Sequence, residues 1–153
     1  MLFLDTNILV YAIDLRDARK QSIAAEIVER AIAHDSECAI SVQTLSEFAN
    51  VALAKLKKPI DEVRAFVEAY RDIETVVPDG LVVDRALVIK RLCNIQFYDA
   101  MMLAAAERAG ADTFLSEDLA DGETYCGIKA VNPFKEFDKH KQTQTKPKQG
   151  EKR

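Results

Sequence analysis

The sequence predicts an α/β fold, a parallel sheet with helices on both faces. Three observations lead there. Short apolar runs, such as residues 1–4, Cys38–Ser41 and Thr113–Leu115, have the length and composition of strands buried on both sides. Between them lie longer stretches with apolar residues at helical spacing. Strands that alternate with helices pair in parallel through right-handed crossovers. The third observation is length: 153 residues suffice for one domain with a proper core.

Residues 1–4 read as the first strand, which Asp5 ends, and Thr6 and Asn7 suit the start of a helix. Residues 17–34 form a long amphipathic helix with Ile23, Ile27, Val28 and Ile32 on its apolar side. Arg19, Lys20, Glu26, Glu29 and Arg30 mark its wet side. Cys38–Ser41 is a short buried strand. Residues 42–56 are a helix, ended by Lys57-Lys58-Pro59, and residues 61–73 are another. Residues 75–77 read as a short strand and residues 81–92 as a helix. Phe97–Ala109 is a helix stopped by Gly110. Thr113–Leu115 is a strand, residues 116–122 a polar turn, and Ile128–Val131 a last strand halted by Asn132-Pro133. The globular domain is assigned to residues 1–138, and residues 139–153 to a basic tail too poor in apolar residues to fold.

The net charge of −4 hides an asymmetry. Residues 139–153 hold six basic residues and only Glu151, which leaves 15 basic and 24 acidic residues elsewhere, a net of −9. Such a body lacks the basic face of a general nucleic-acid binder. Cys38, Cys93 and Cys126 are odd in number, far apart in sequence and without metal-ligand spacing, as expected of free buried thiols in a reducing cytoplasm. No apolar run approaches the roughly 20 residues of a membrane span, and no signal peptide is expected.

Three acids stand alone in apolar surroundings. Asp5 is the only charge from Met1 to Ile13, Glu47 the only one from Ser41 to Ala54, and Asp99 the only one from Cys93 to Ala106. Buried carboxylates are rare unless paired or bound to metal. In a parallel α/β sheet, strand C-termini and the helix N-termini that follow them share one edge, where ligands bind. Asp5, Glu47, Asp99 and the segment Ser116-Glu117-Asp118 should all meet there. Carboxylates so gathered repel one another unless they hold a cation. Oxygen ligands select hard ions, Mg²⁺ or Mn²⁺. Zinc is disfavoured, because His34 and His140 are the only histidines. A site of this kind suits phosphodiester hydrolysis.

Each residue also has a simpler reading. Asp5 could merely cap a helix, Asp99 meet a helix dipole, and Asp118 be a solvated loop acid beside Glu117 and Asp121. Glu47 points away from the stripe of Val42, Leu45, Ala49, Ala52 and Leu56, so it could be solvated. Asn7 and Ser116 could serve only as caps. Spacing and a shared edge favour the joint reading.

The segments Leu4-Asp5-Thr6-Asn7, Ser46-Glu47-Phe48, Tyr98-Asp99-Ala100 and Leu115-Ser116-Glu117-Asp118-Leu119 resemble the PIN-domain nucleases. Among these the chain is most similar to the VapC-type toxins of toxin–antitoxin pairs, over residues 1–134. The resemblance implies a three-layer α/β/α sandwich with a short parallel sheet. It implies an Mg²⁺- or Mn²⁺-dependent endoribonuclease, the toxin of a type II system, cytoplasmic and homodimeric, inhibited by a small antitoxin protein that covers the acidic groove. It assigns Asp5, Glu47, Asp99 and Asp118 as metal-binding and catalytic acids, with Glu117 an alternative for the fourth. Asn7 and Ser116 match the supporting polar residues.

Two other functions compete. An aspartyl-phosphate phosphatase wants a second Asp two residues after the nucleophile, and that position is Asn7. A catalytically silent PIN-like module that binds RNA or protein would not need all four acids. An acidic body cannot attract RNA by its net field, so Arg16, Arg19, Lys20, a dimer groove or the tail would have to assist.

Overall fold

β1 (Leu2–Leu4) lies inside a six-stranded sheet. A computed structural model of the chain describes residues 1–135. β1 is followed by α1 (Thr6–Tyr11) and α2 (Ala18–Ile32), then by β2 (Cys38–Ser41), α3 (Val42–Ala54) and α4 (Ile60–Tyr70). β3 (Glu74–Val76), α5 (Gly80–Cys93), α6 (Phe97–Ala109) and β4 (Thr113–Leu115) come next. β5 (Thr124–Tyr125) and β6 (Ile128–Val131) complete the sheet, whose strand order is β3-β2-β1-β4-β6-β5. The boundary expected at residue 138 and the basic stretch from residue 139 fall outside the described residues.

The strands alternate because both faces are covered. Phe3, Ala39, Phe114 and Ala130 point into one core, with Val82, Ala86 and Ile89 of α5 and Met102, Leu103 and Ala106 of α6. Leu4, Ile40 and Leu115 point into the other, with Ile8, Leu9, Val28, Phe48, Val63 and Tyr70 from α1 to α4. This is a three-layer α/β/α sandwich. It also explains why α6 is apolar nearly all round: six of its residues, including Ala104 and Ala105, are buried. A run of alanines lets that helix sit close to its neighbours, and Gly110 ends it with φ +77° in the left-handed region.

Five strands are parallel, and β5 pairs antiparallel with β6. That last hairpin was not expected from sequence: β5 is two residues long and carries no alternation. The register matters more. Leu4 pairs with Leu115, so the next residues, Asp5 and Ser116, stand abreast at the ends of β1 and β4. The Asp5 N–H donates to the Leu115 carbonyl at 3.1 Å, which fixes that alignment. From β1 the chain runs one way to β2 and β3, and later elements add on the other side through β4. The β1/β4 boundary is therefore the crevice where open α/β sheets bind ligands. Among the described residues, no helix is long and apolar enough to cross a membrane.

Candidate active site

Asp5 is 5% exposed and caps α1, its Oδ1 accepting from the Thr6 N–H at 2.7 Å. Oδ2 accepts from Ser116 Oγ at 2.6 Å and from Asn7 Nδ2 at 3.2 Å. Burial raises its carboxyl from an ordinary 3.8 to about 7. The Ser116 and Thr6 hydrogen bonds oppose that rise, while the charges of Asp118 and Asp99 add to it. The cap was therefore real, but capping does not explain why the group is buried among other acids.

Glu47 reaches the same edge from α3. Ser41 ends β2 and forms a capping box with Thr44, which sets the direction of the helix. Glu47 follows in the second turn, where Oε2 accepts from Thr6 Oγ1 at 2.8 Å and Oε1 from Gln43 Nε2 at 2.8 Å. Gln43 also donates to the Tyr98 carbonyl at 3.2 Å, which ties α3 to the start of α6. Asp99, in the first turn of α6, is raised by burial first, then by Asp118 and Glu47. Among the described residues its carboxylate accepts no hydrogen bond, and what acts on it is other acids.

Asp118 follows β4. Its N–H donates to Ser116 Oγ at 3.0 Å, and its Oδ2 accepts from Asn7 Nδ2 at 3.1 Å. Asn7 thus bridges Asp5 and Asp118 through one amide nitrogen. Asn7 Oδ1 is left without a hydrogen-bond partner, the one such buried side-chain oxygen or nitrogen among the described residues. Buried acceptors in that state mark a place for another group.

Glu117 turns the other way. Its Oε2 pairs with Lys20 Nζ at 2.7 Å and its Oε1 accepts from the Tyr11 hydroxyl at 2.5 Å. Lys20 also lies over the Tyr11 ring, 4.5 Å from its centroid. Glu117 therefore belongs to a clamp that holds α1, α2 and the loop after β4 together. Arg16, expected near the site as a cation, is forked onto Asp14 at 2.8 and 2.7 Å.

Asp5, Glu47, Asp99 and Asp118 thus converge, linked by Thr6, Asn7, Gln43 and Ser116, and no ion pair among the described residues reaches them. Asp99 and Asp118 open onto a polar cavity of about 380 Å³, also lined by Lys90, Asn94, Gln96 and Tyr125. Among the described residues, no three His, Cys, Asp or Glu side chains stand as a ready-made metal-holding group. The donor chemistry nevertheless fits a hard divalent cation: oxygen ligands only, two carboxyls raised by burial and then by neighbouring acids, and an orphaned amide oxygen beside them. Thr6 and Gln43 were not singled out from sequence as parts of the site. The clue to Gln43 was its position four residues before Glu47, on the same helix face.

No curated protein sequence matches the chain. Solved structures do. A toxin–antitoxin complex from Klebsiella pneumoniae superposes with a TM-score of 0.64 at 21% identity, covering 87% of this chain and 98% of that one. DNA-bound VapBC from Salmonella typhimurium gives 0.60 at 20% identity, covering 86% and 97%. Mycobacterium tuberculosis VapC20, a sarcin–ricin loop cleaving toxin, gives 0.57 at 16% identity, covering 84% and 98%. At these identities the likeness is one of fold. The family model for the PIN domain matches residues 2–120, most of the chain and all four converging acids, so the protein belongs to the PIN domain family.

Proposed function

We propose that the acidic crevice is the active site of a metal-dependent endoribonuclease, the toxin of a type II toxin–antitoxin pair. The observation that carries this reading is the convergence of four carboxylates on one sheet edge, none of them ion-paired among the described residues, with Asp5 raised to about 7. PIN-domain membership and the toxin structures that share the fold support it. Asp5, Glu47, Asp99 and Asp118 would hold Mg²⁺ or Mn²⁺. Such an ion polarises a phosphate and lowers the pKa of a bound water.

The chain's own residues supply orientation. Ser116, Asn7 and the Thr6 N–H fix Asp5. Thr6 Oγ1 and Gln43 fix Glu47, so a single residue, Thr6, sets two of the four acids. Asp99, raised and without a hydrogen-bond donor among the described residues, is suited to accept the proton of the attacking water. Lys90, Asn94 and Gln96, in the cavity beside Asp99 and Asp118, offer donors to an RNA backbone. We place the protein in the cytoplasm, as a homodimer with a cognate antitoxin covering the acidic groove. Glu117 is assigned to structure, and Asp118 to the fourth acidic position.

The test is cleavage of a single-stranded RNA by the full chain with Mg²⁺ or Mn²⁺, beside EDTA and Asp5→Asn controls. Cleavage only with metal and wild-type Asp5 is expected. Activity that survives Asp5→Asn would sink the metal-site reading. RNA binding without cleavage under either metal would favour a silent module.

A further inference from the structure

Cys93 and Cys126 are 33 residues apart in sequence, yet their sulfurs lie 3.7 Å from each other. Cys93 is the last residue of α5, and Cys126 sits in the turn between β5 and β6. Both are partly exposed, whereas Cys38 is buried. We propose that Cys93 and Cys126 are a reversible oxidation site, a dithiol that an oxidant of the peroxide class closes to a disulfide.

A second observation is independent of the distance. Tyr125 pairs with Ile128, so Cys126 and Gly127 form a two-residue hairpin loop, with φ of +48° and +86°. Turns with two positive φ values favour Asn-Gly, Asp-Gly or Gly-Gly. A cysteine at the first position is strained there, and such outliers point to a use for the side chain. Here that side chain meets another thiol.

The surroundings suit a thiol that rests reduced and reacts on demand. The backbone of Cys126 and the charge of Arg85 both favour a thiolate at Cys93. Burial and the Cys126 thiol outweigh them and hold Cys93 above its ordinary value. In the reaction one thiolate attacks peroxide, giving a sulfenic acid and releasing hydroxide. The second thiolate then attacks that sulfur and expels a second hydroxide. The two hydroxides take up the two thiol protons, so two thiols and one hydrogen peroxide give one disulfide and two waters. The new bond would enclose residues 94–125, which carry Asp99, Ser116 and Asp118. Asn94 and Tyr125, each adjacent to one of the cysteines, line the cavity that Asp99 and Asp118 share.

The test uses the reduced full chain, treated with hydrogen peroxide, denatured, labelled with N-ethylmaleimide and weighed. Three labels are expected before oxidation and one after, on Cys38, with a linked Cys93–Cys126 peptide that dithiothreitol releases. Closing a loop of this length should raise Tm by roughly 5–15 °C. Cys126→Asn should abolish the link without harming the reduced fold, because Asn tolerates the left-handed turn. Cys93→Ser gives the same mass readout if that variant misfolds. Three labels after peroxide, or only intermolecular disulfides and sulfinic acids, would overturn the proposal.

Discussion

Acidification should stabilise this protein in the absence of metal, which is the opposite of ordinary acid denaturation. Asp5 titrates near 3.8 when unfolded and at about 7 when folded. The folded state therefore prefers the protonated carboxyl. That preference is fully expressed below about 4 and is lost as pH rises through 7. The gap of about three pH units corresponds to roughly 4 kcal/mol once both forms are ionised. Most of it returns between pH 8 and pH 5, about 2–3 kcal/mol. Asp99, raised for the same reasons, acts in the same direction. The carboxyls held low by Arg16, Arg108 and Thr113, those of Asp14, Asp79 and Asp112, titrate below this window and do not oppose it. In EDTA, the urea midpoint should rise by roughly 1–2 M from pH 8 to pH 5. Asp5→Asn should lose most of that rise and be more stable than wild type at pH 8. Saturating Mg²⁺ should remove the rise by stabilising the ionised form. A wild type no more stable at pH 5, or an Asp5→Asn variant with the full rise, would show that the buried Asp5 carboxyl is not what acid stabilises.

Further substitutions separate the residues that orient the site from those that only hold the fold. Ser116→Ala removes a 2.6 Å hydrogen bond to Asp5 and should lower metal affinity or cleavage about 10–100-fold, read by titration and RNA assay. Thr6→Val frees Glu47 and should cost about 1 kcal/mol of stability together with a comparable loss of cleavage, whereas equal cleavage by both proteins would remove Thr6 from the site. Glu117→Gln breaks the partly buried pair with Lys20 and should cost about 1–3 kcal/mol in urea unfolding, with cleavage per folded molecule changed less than about threefold. Asp118→Asn should do the reverse, and if Glu117→Gln instead abolished cleavage, Glu117 would be the fourth acid.

The parts of the fold legible in the sequence are those with strong local signals. Thr113–Leu115 and Phe97–Ala109 have the bounds expected of them, because an apolar triplet followed by Ser116 and an apolar helix stopped by Gly110 leave few alternatives. The convergence of Asp5, Glu47, Asp99 and Asp118 was legible because charge is scarce around three of them and a parallel sheet gathers strand ends. What escaped depends on contacts remote in sequence. β5 is held by its pairing with β6 rather than by its own two residues. The turning of Glu117 away from Asp118 depends on Lys20, 97 residues away from Glu117. Thr6 looked like the start of a helix, and only the approach of α3 reveals its hydroxyl as a holder of Glu47. Cys93 and Cys126 looked unrelated until α5 and the β5–β6 turn were placed side by side.

The proposed chemistry requires that the four acids together hold a divalent cation. It is tested most directly by titrating the folded full chain with Mn²⁺ and following bound metal by electron paramagnetic resonance. Wild type should bind Mn²⁺ and give it up to excess Mg²⁺. Asp5→Asn and Asp99→Asn should each lose that binding, while Glu117→Gln keeps it. Undiminished Mn²⁺ binding by Asp5→Asn and Asp99→Asn, or no binding by wild type at pH 8, would exclude a cation site made of these acids.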